Sequence, residues 1–297
     1  MSDVRKTSLL FPRRTGKPMK HYRAALLALC FLVSACDGKK PIENTEDAAK
    51  TTENEQMAIS IERDENIVVS SGTMFIAIGE DEDTSADFSG ITYFQDHDIT
   101  DIYISLLLDA EEIDFSPLSH LQHLSWVKLG GWGVTVIPDF RASPSIKHLE
   151  IWHGSLTSLD GIEKMPSLEY LEISNNRVHL ADMSALRYLA NLRSLNIYAG
   201  FYNIDFSVLK DLPSLTELCL QDIGEINLLD VAELASLEKL SLYSDEVSFP
   251  SLDVSPLSRL TNLQELRIIG FEIENIESLD ALPNLDYIIT RRNTRFD

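Results

Sequence analysis

A phrase of six residues recurs along two thirds of this chain and leaves it few ways to fold. L-x-x-L-x-L, with isoleucine or valine in place of some leucines, begins at Ile99, Leu124, Ile146, Leu168, Leu192, Leu215, Leu237 and Leu263, and a partial copy, "LDYIIT", begins at Leu285. Four of the eight intervals between copies are 22 residues long, and the others run from 23 to 26. Self-similarity at such a period marks a solenoid, in which each repeat packs only on its neighbours. The last two apolar positions of the phrase are one residue apart, so both point to one side of a β-strand. One copy cannot bury that side, whereas a stack of copies makes a continuous core.

The copies resemble the leucine-rich repeat, and most closely its short form, in which words such as "LPSL" precede the strand. The resemblance implies an α/β solenoid with a parallel β-sheet on its concave face and short helices or 3₁₀ turns on its convex face. The segments "DGIEKMPS", "DFSVLKDLPS" and "LLDVAELAS" stand where those turns belong. The family's asparagine after the strand is matched only by Asn176, its place elsewhere being taken by residues such as Gly154, Gly200, Ile223 and Phe271. Less uniform turns are therefore expected. The third apolar column fails at Thr290, where the stack is expected to end.

With the leucine columns turned inward, the positions between them form a readable face. The first column of that face holds Asp101, Trp126, His148, Tyr170, Ser194, Glu217, Lys239 and Glu265. The second holds Tyr103, Lys128, Glu150, Glu172, Asn196, Cys219, Ser241 and Arg267, and the third Ser105, Gly130, Trp152, Ser174, Tyr198, Gln221, Tyr243 and Ile269. Column neighbours on adjacent strands should lie about 4.8 Å apart. Large amphipathic aromatics bury much area with few rotatable bonds, which suits them to protein contacts. Trp126, His148, Glu150, Trp152, Tyr170, Tyr198 and Tyr243 are thus the candidate partner-binding residues, for a protein partner the residues do not identify. Glu217, Lys239 and Glu265 alternate in charge, and Lys128 can relieve Glu150 and Glu172. Both groups read as local pairs that keep the face soluble.

Two alternatives belong to other classes. His148, Glu150 and His153 are close enough in sequence to suggest a metal-dependent or hydrolytic enzyme. Yet His153 is expected past the strand end, no third ligand has a defensible spacing, and Cys219 has no histidine beside it in its column. The chain contains no glycine-rich phosphate loop, HExxH or GxSxG. No enzyme activity, metal or cofactor is expected. The other alternative is a purely structural envelope component.

The amino terminus points to export. Basic residues end at Arg23, and "AALLALCFLV" follows, too short for the roughly 20 residues of a transmembrane helix. This is the layout of a secretory signal. Val33-Ser34-Ala35-Cys36 resembles the bacterial lipobox, which implies a cut before Cys36 and diacylation of that cysteine. Asp37 resembles the signal that retains enterobacterial lipoproteins at the inner membrane, which favours the periplasmic face of that membrane and leaves the outer membrane and cell surface open. A start at Met19 would give a signal of ordinary proportions. Residues 1–35 are therefore read as signal peptide, 36–65 as an acidic flexible tether, 66–98 as an amino-terminal cap of two short strands, and 99–297 as the repeat domain. The acidic run Glu80, Asp81, Glu82, Asp83 and Asp87 lacks EF-hand spacing and reads as a solvated loop rather than a calcium site.

Charge narrows the partners further. The formal net charge is −22, from 25 basic and 47 acidic residues. Seven of the basic residues and one acid precede Cys36, leaving 18 and 46, a net of −28. Such a chain repels nucleic acid. With Cys30 inside the apolar run and Cys36 lipidated, Cys219 would be the one remaining thiol, so no disulfide framework is expected.

Overall fold

The computed structural model describes residues 59–60, 67–70, 72–78, 98–106 and, between 118 and 291, all but 119, 132–133, 138–139, 141–143, 176–179, 202–204, 224–225 and 245–249. The signal peptide, Cys36, the acidic run 80–87 and Asn176 lie outside the described residues.

Each copy of the phrase is a strand. β1 (Ile59–Ser60), β2 (Ile67–Ser70), β3 (Thr73–Ile78), β4 (Asp101–Leu106), β5 (Trp126–Gly130), β6 (His148–Gly154), β7 (Tyr170–Asn175), β8 (Ser194–Phe201), β9 (Glu217–Ile223) and β10 (Lys239–Tyr243) join one sheet in chain order. β12 (Glu265–Ile269) and β14 (Tyr287–Arg291) continue it, while β11 (Ser251–Asp253) and β13 (Glu272–Glu274) pair separately. β1, β2 and β3 are antiparallel, and from β3 onward every described pairing is parallel. The fold is a leucine-rich-repeat solenoid of the α/β class.

The spacing between leucines explains the rest of each coil. Between strands, apolar residues recur every third position, as in Ile162, Met165 and Leu168, or Leu186, Leu189 and Leu192, and all are buried. Three is the period of a 3₁₀ helix. The backbone follows it: Leu189 N–H donates to Leu186 O at 2.9 Å, and Leu192 N–H to Leu189 O at 3.0 Å. Such 3₁₀ turns at Ile162–Lys164, Ser184–Tyr188, Phe206–Asp211, Ser255–Arg259 and Ile276–Ala281, with an α-helical turn at Leu228–Val231, occupy the convex side. Side chains of Asp205 and Asn227 cap two of these turns, at Ser207 N and Leu229 N.

A polar ladder ties coil to coil. The residue before the first apolar position of the phrase sends its side chain to a carbonyl one repeat earlier. Ser145 Oγ reaches Leu124 O, Asn191 Nδ2 reaches Pro166 O, Ser236 Oγ reaches Pro213 O, Asn262 Nδ2 reaches Ala235 O, and Asn284 Nδ2 reaches Thr261 O, all within 2.7–3.0 Å. These bonds satisfy turn carbonyls that the solenoid would otherwise leave unpaired.

Two expectations are adjusted. β1 lies inside residues 36–65, read as a tether, and pairs antiparallel with β2. The reason is visible in "MAISI", whose alternation of apolar and small residues suits a strand better than a spacer. His153 does not follow the strand but lies within β6, where a left-handed φ of 57° accompanies a register shift between Trp152 and Gly154. The strand resumes pairing through Gly154 with Asn175.

Candidate functional site

Because β-strand side chains alternate, the buried leucine columns fix which residues look outward. The register is the one the repeat spacing implies. Trp126 pairs with His148, His148 with Tyr170, Lys128 with Glu150, Glu150 with Glu172, and Gly130 with Trp152. Ser174 then pairs with Tyr198, Tyr198 with Gln221, and Gln221 with Tyr243.

Three rings in the first column pack in a row, the first pair tilted and the second stacked. Trp126 and His148 have centroids 4.1 Å apart at 40°, and His148 and Tyr170 3.9 Å apart at 8°. Below them lies a compact ionic group. Lys128 Nζ sits 2.7 Å from Glu150 Oε2, and His148 Nε2 sits 2.9 Å from Glu150 Oε1. An ionised carboxylate only accepts, so Nε2 carries the hydrogen. Lys128 Nζ also lies 4.1 Å from the Trp152 ring centroid and 5.3 Å from that of Tyr103, a cation held between two π-faces. Trp152 stands opposite Gly130 in the register of β5 and β6, and its ring lies beside Lys128, two residues before that glycine.

This group differs from the exposed local pairs expected of it. The Lys128 and Glu150 side chains are only 13% and 8% exposed, against 46% and 44% for Lys239 and Glu217, whose bond of 2.8 Å is the surface pair foreseen. Burial alone would raise the Glu150 carboxyl, but the hydrogen bonds from His148 and Lys128 outweigh it and hold the group below its ordinary range. Tyr170 O–H donates to Glu172 Oε2 at 2.5 Å. Burial first, then that bond, pushes the Tyr170 phenol up, and burial does the same to Tyr198 and to the half-buried Cys219 thiol. These groups stay neutral.

The structure thus gathers Trp126, His148, Glu150, Trp152 and Tyr170 into one patch with Lys128 at its centre, with Tyr198 at its edge. Tyr243 stands two strands further along its column and belongs to the same face without joining the stack. The enzyme alternative finds no such gathering. Glu150 already accepts from Lys128 and His148, His153 is exposed on the bulged end of β6, and among the described residues no three His, Cys, Asp or Glu side chains converge as metal ligands.

Sequence reasoning missed Phe75. It lies on β3, pairs with Tyr103, and stacks on it with centroids 5.1 Å apart at 13°. "TMFIAI" is a further copy of the strand half of the phrase, but Ser71 stands where the first leucine belongs, which hides the match. The signal was the alternation of buried Met74 and Ile76 with Phe75 between them. The indole N–H groups of Trp126 and Trp152 are buried without a hydrogen-bond partner, a cost of about 1–3 kcal/mol each.

Comparison with known proteins returns the fold. No family model matches the chain, and no curated protein sequence matches it. Among solved structures, internalin C2 of Listeria monocytogenes is similar over 67% of this chain and 83% of that one, at 22% identity and a TM-score of 0.52. A chain of the Toll–Spätzle complex of Drosophila is similar over 78% of this chain and 32% of that one, at 15% identity and a TM-score of 0.54.

Proposed function

We propose that this chain is a lipid-anchored bacterial envelope protein that binds another protein through the concave face of its solenoid. The observation that carries the reading is the interlocked patch at β5 to β7. Its rings are held by stacking and by the Lys128–Glu150–His148 group before any partner arrives, so little side-chain freedom remains to be lost on binding. Half-buried aromatics around a satisfied charged centre have the composition of an interface hot spot. Support of a second kind comes from the Toll–Spätzle complex, a protein complex that contains a chain of similar fold. Cys36 supplies the anchor, the acidic segment after it the spacer, and the periplasmic face of the inner membrane is the favoured location.

The test is capture of cross-linked partners from the native envelope, with the wild-type chain beside Trp126→Ala and Trp152→Ala. A protein recovered with the wild type and lost with both variants, at unchanged thermal stability, is the expected outcome. Recovery of the same proteins by all three chains would overturn the reading and favour a purely structural role.

A further inference from the structure

Most charges on the concave face are answered within the face. Glu150 is answered by Lys128 and His148, Glu217 by Lys239, and Glu265 by Arg267 at 3.6 Å. Two carboxylates have no cation within salt-bridge distance among the described residues. Asp101 lies at the start of its strand and accepts from Thr100 Oγ1 at 3.1 Å. Glu172 lies in mid-face, and among the described residues its hydrogen bond comes from the Tyr170 hydroxyl. Lys128, the cation expected to serve it, is committed to Glu150, and its column neighbour on the other side is the neutral Asn196.

The surroundings of Glu172 select a ligand. Tyr170 precedes it on the same face of β7, and Tyr198 stands on β8 opposite Ser174, two residues further along. A half-buried carboxylate beside two neutral aromatic rings suits a planar cation that can stack and donate at once, which is a guanidinium rather than an ammonium. A chain of net charge −22 also draws basic surfaces toward it.

We propose that Glu172, framed by Tyr170 and Tyr198, is the seat for an arginine side chain of the partner protein. The proposal rests on the concave face being the binding surface and adds the chemistry of the contact. In the complex the guanidinium donates to the Glu172 oxygen left open by Tyr170 and lies against the phenol rings.

Random peptides displayed on phage, selected on the full 297-residue chain, provide the probe. Binding of enriched peptides is then measured on Glu172→Gln, which keeps the acceptor for Tyr170 but removes the charge, and on Trp152→Ala. Thermal unfolding of both variants checks that they fold. Enriched peptides should carry arginine, and Glu172→Gln should weaken them at least about tenfold. Replacing the peptide arginine by glutamine should weaken wild-type binding as much and add little once Glu172 is gone. Peptides that lose binding on Trp152→Ala but bind Glu172→Gln as tightly as wild type would overturn the arginine seat and leave the concave-face reading standing. Peptides indifferent to both variants would overturn both.

Discussion

At the scale of single residues, the Lys128–Glu150–His148 group sets the behaviour of the face. A buried ion pair adds modestly to stability while intact, but removing one partner leaves a charge without water or counter-ion. Lys128→Met should therefore destabilise the protein by about 3 kcal/mol, read by urea unfolding at neutral pH. Acid should act on the same group. The Glu150 carboxyl sits below its ordinary value of 4.5, so the unfolded chain takes up the proton first. Its stabilising contribution is complete above that value and is lost as pH falls through the lower folded value. Asp182, Asp205 and Asp253, each lowered first by a hydrogen bond, follow the same sign. Unfolding measured from pH 7 down to about 3 should show stability falling, with a shallower fall in Glu150→Gln. An identical slope in the two chains would mean Glu150 is not held ionised by its partners.

At the scale of the repeat element, strand, 3₁₀ turn and ladder residue act together. The ladder bonds are individually ordinary: Asn262→Ala removes the bond to Ala235 O and should cost about 1 kcal/mol. Gly270 is a different case. It follows β12 with φ of 87°, and a Cβ there would lie 2.0 Å from Ser244 O, on a backbone bound to Ile269 O by Ser244 N–H. Neither the left-handed conformation nor the clash can be relieved by turning a side chain. Gly270→Ala should therefore cost about 3 kcal/mol, several times the ladder substitution, when both are compared by thermal unfolding. Equal effects would show that the β12–β13 turn gives way freely.

At the scale of the whole molecule, the partner face and the proposed anchor belong to different parts of the chain. The described residues contain no helix long and apolar enough to cross a membrane. In the proposed function Cys36 is the point of attachment. Two acyl chains give a stable anchor where one would not. The intact mass of the protein purified from its native membrane should fit a chain beginning at diacylated Cys36, and Cys36→Ala should lack that species. An unlipidated chain keeping residues before Cys36 would remove the envelope from the proposal.

The repeat phrase by itself determined the strands of the repeats, their parallel order and the three columns of the concave face. It could do so because a period of two on a strand and a period of three on a 3₁₀ turn are local rules, and stacking at a constant repeat turns local spacing into register. Trp126, His148 and Tyr170 were legible as neighbours for that reason. Only the tertiary structure decided how their side chains use that register. It turned the rings onto one another, sank Lys128 and Glu150 between Trp152 and the stack, and brought Phe75 onto Tyr103 from a copy that lacks its first leucine. It also left Glu172 with a tyrosine instead of a lysine. Which of two carboxylates receives a shared cation depends on burial and on where the neighbouring rings lie. Those are properties of packing that no spacing in the chain encodes.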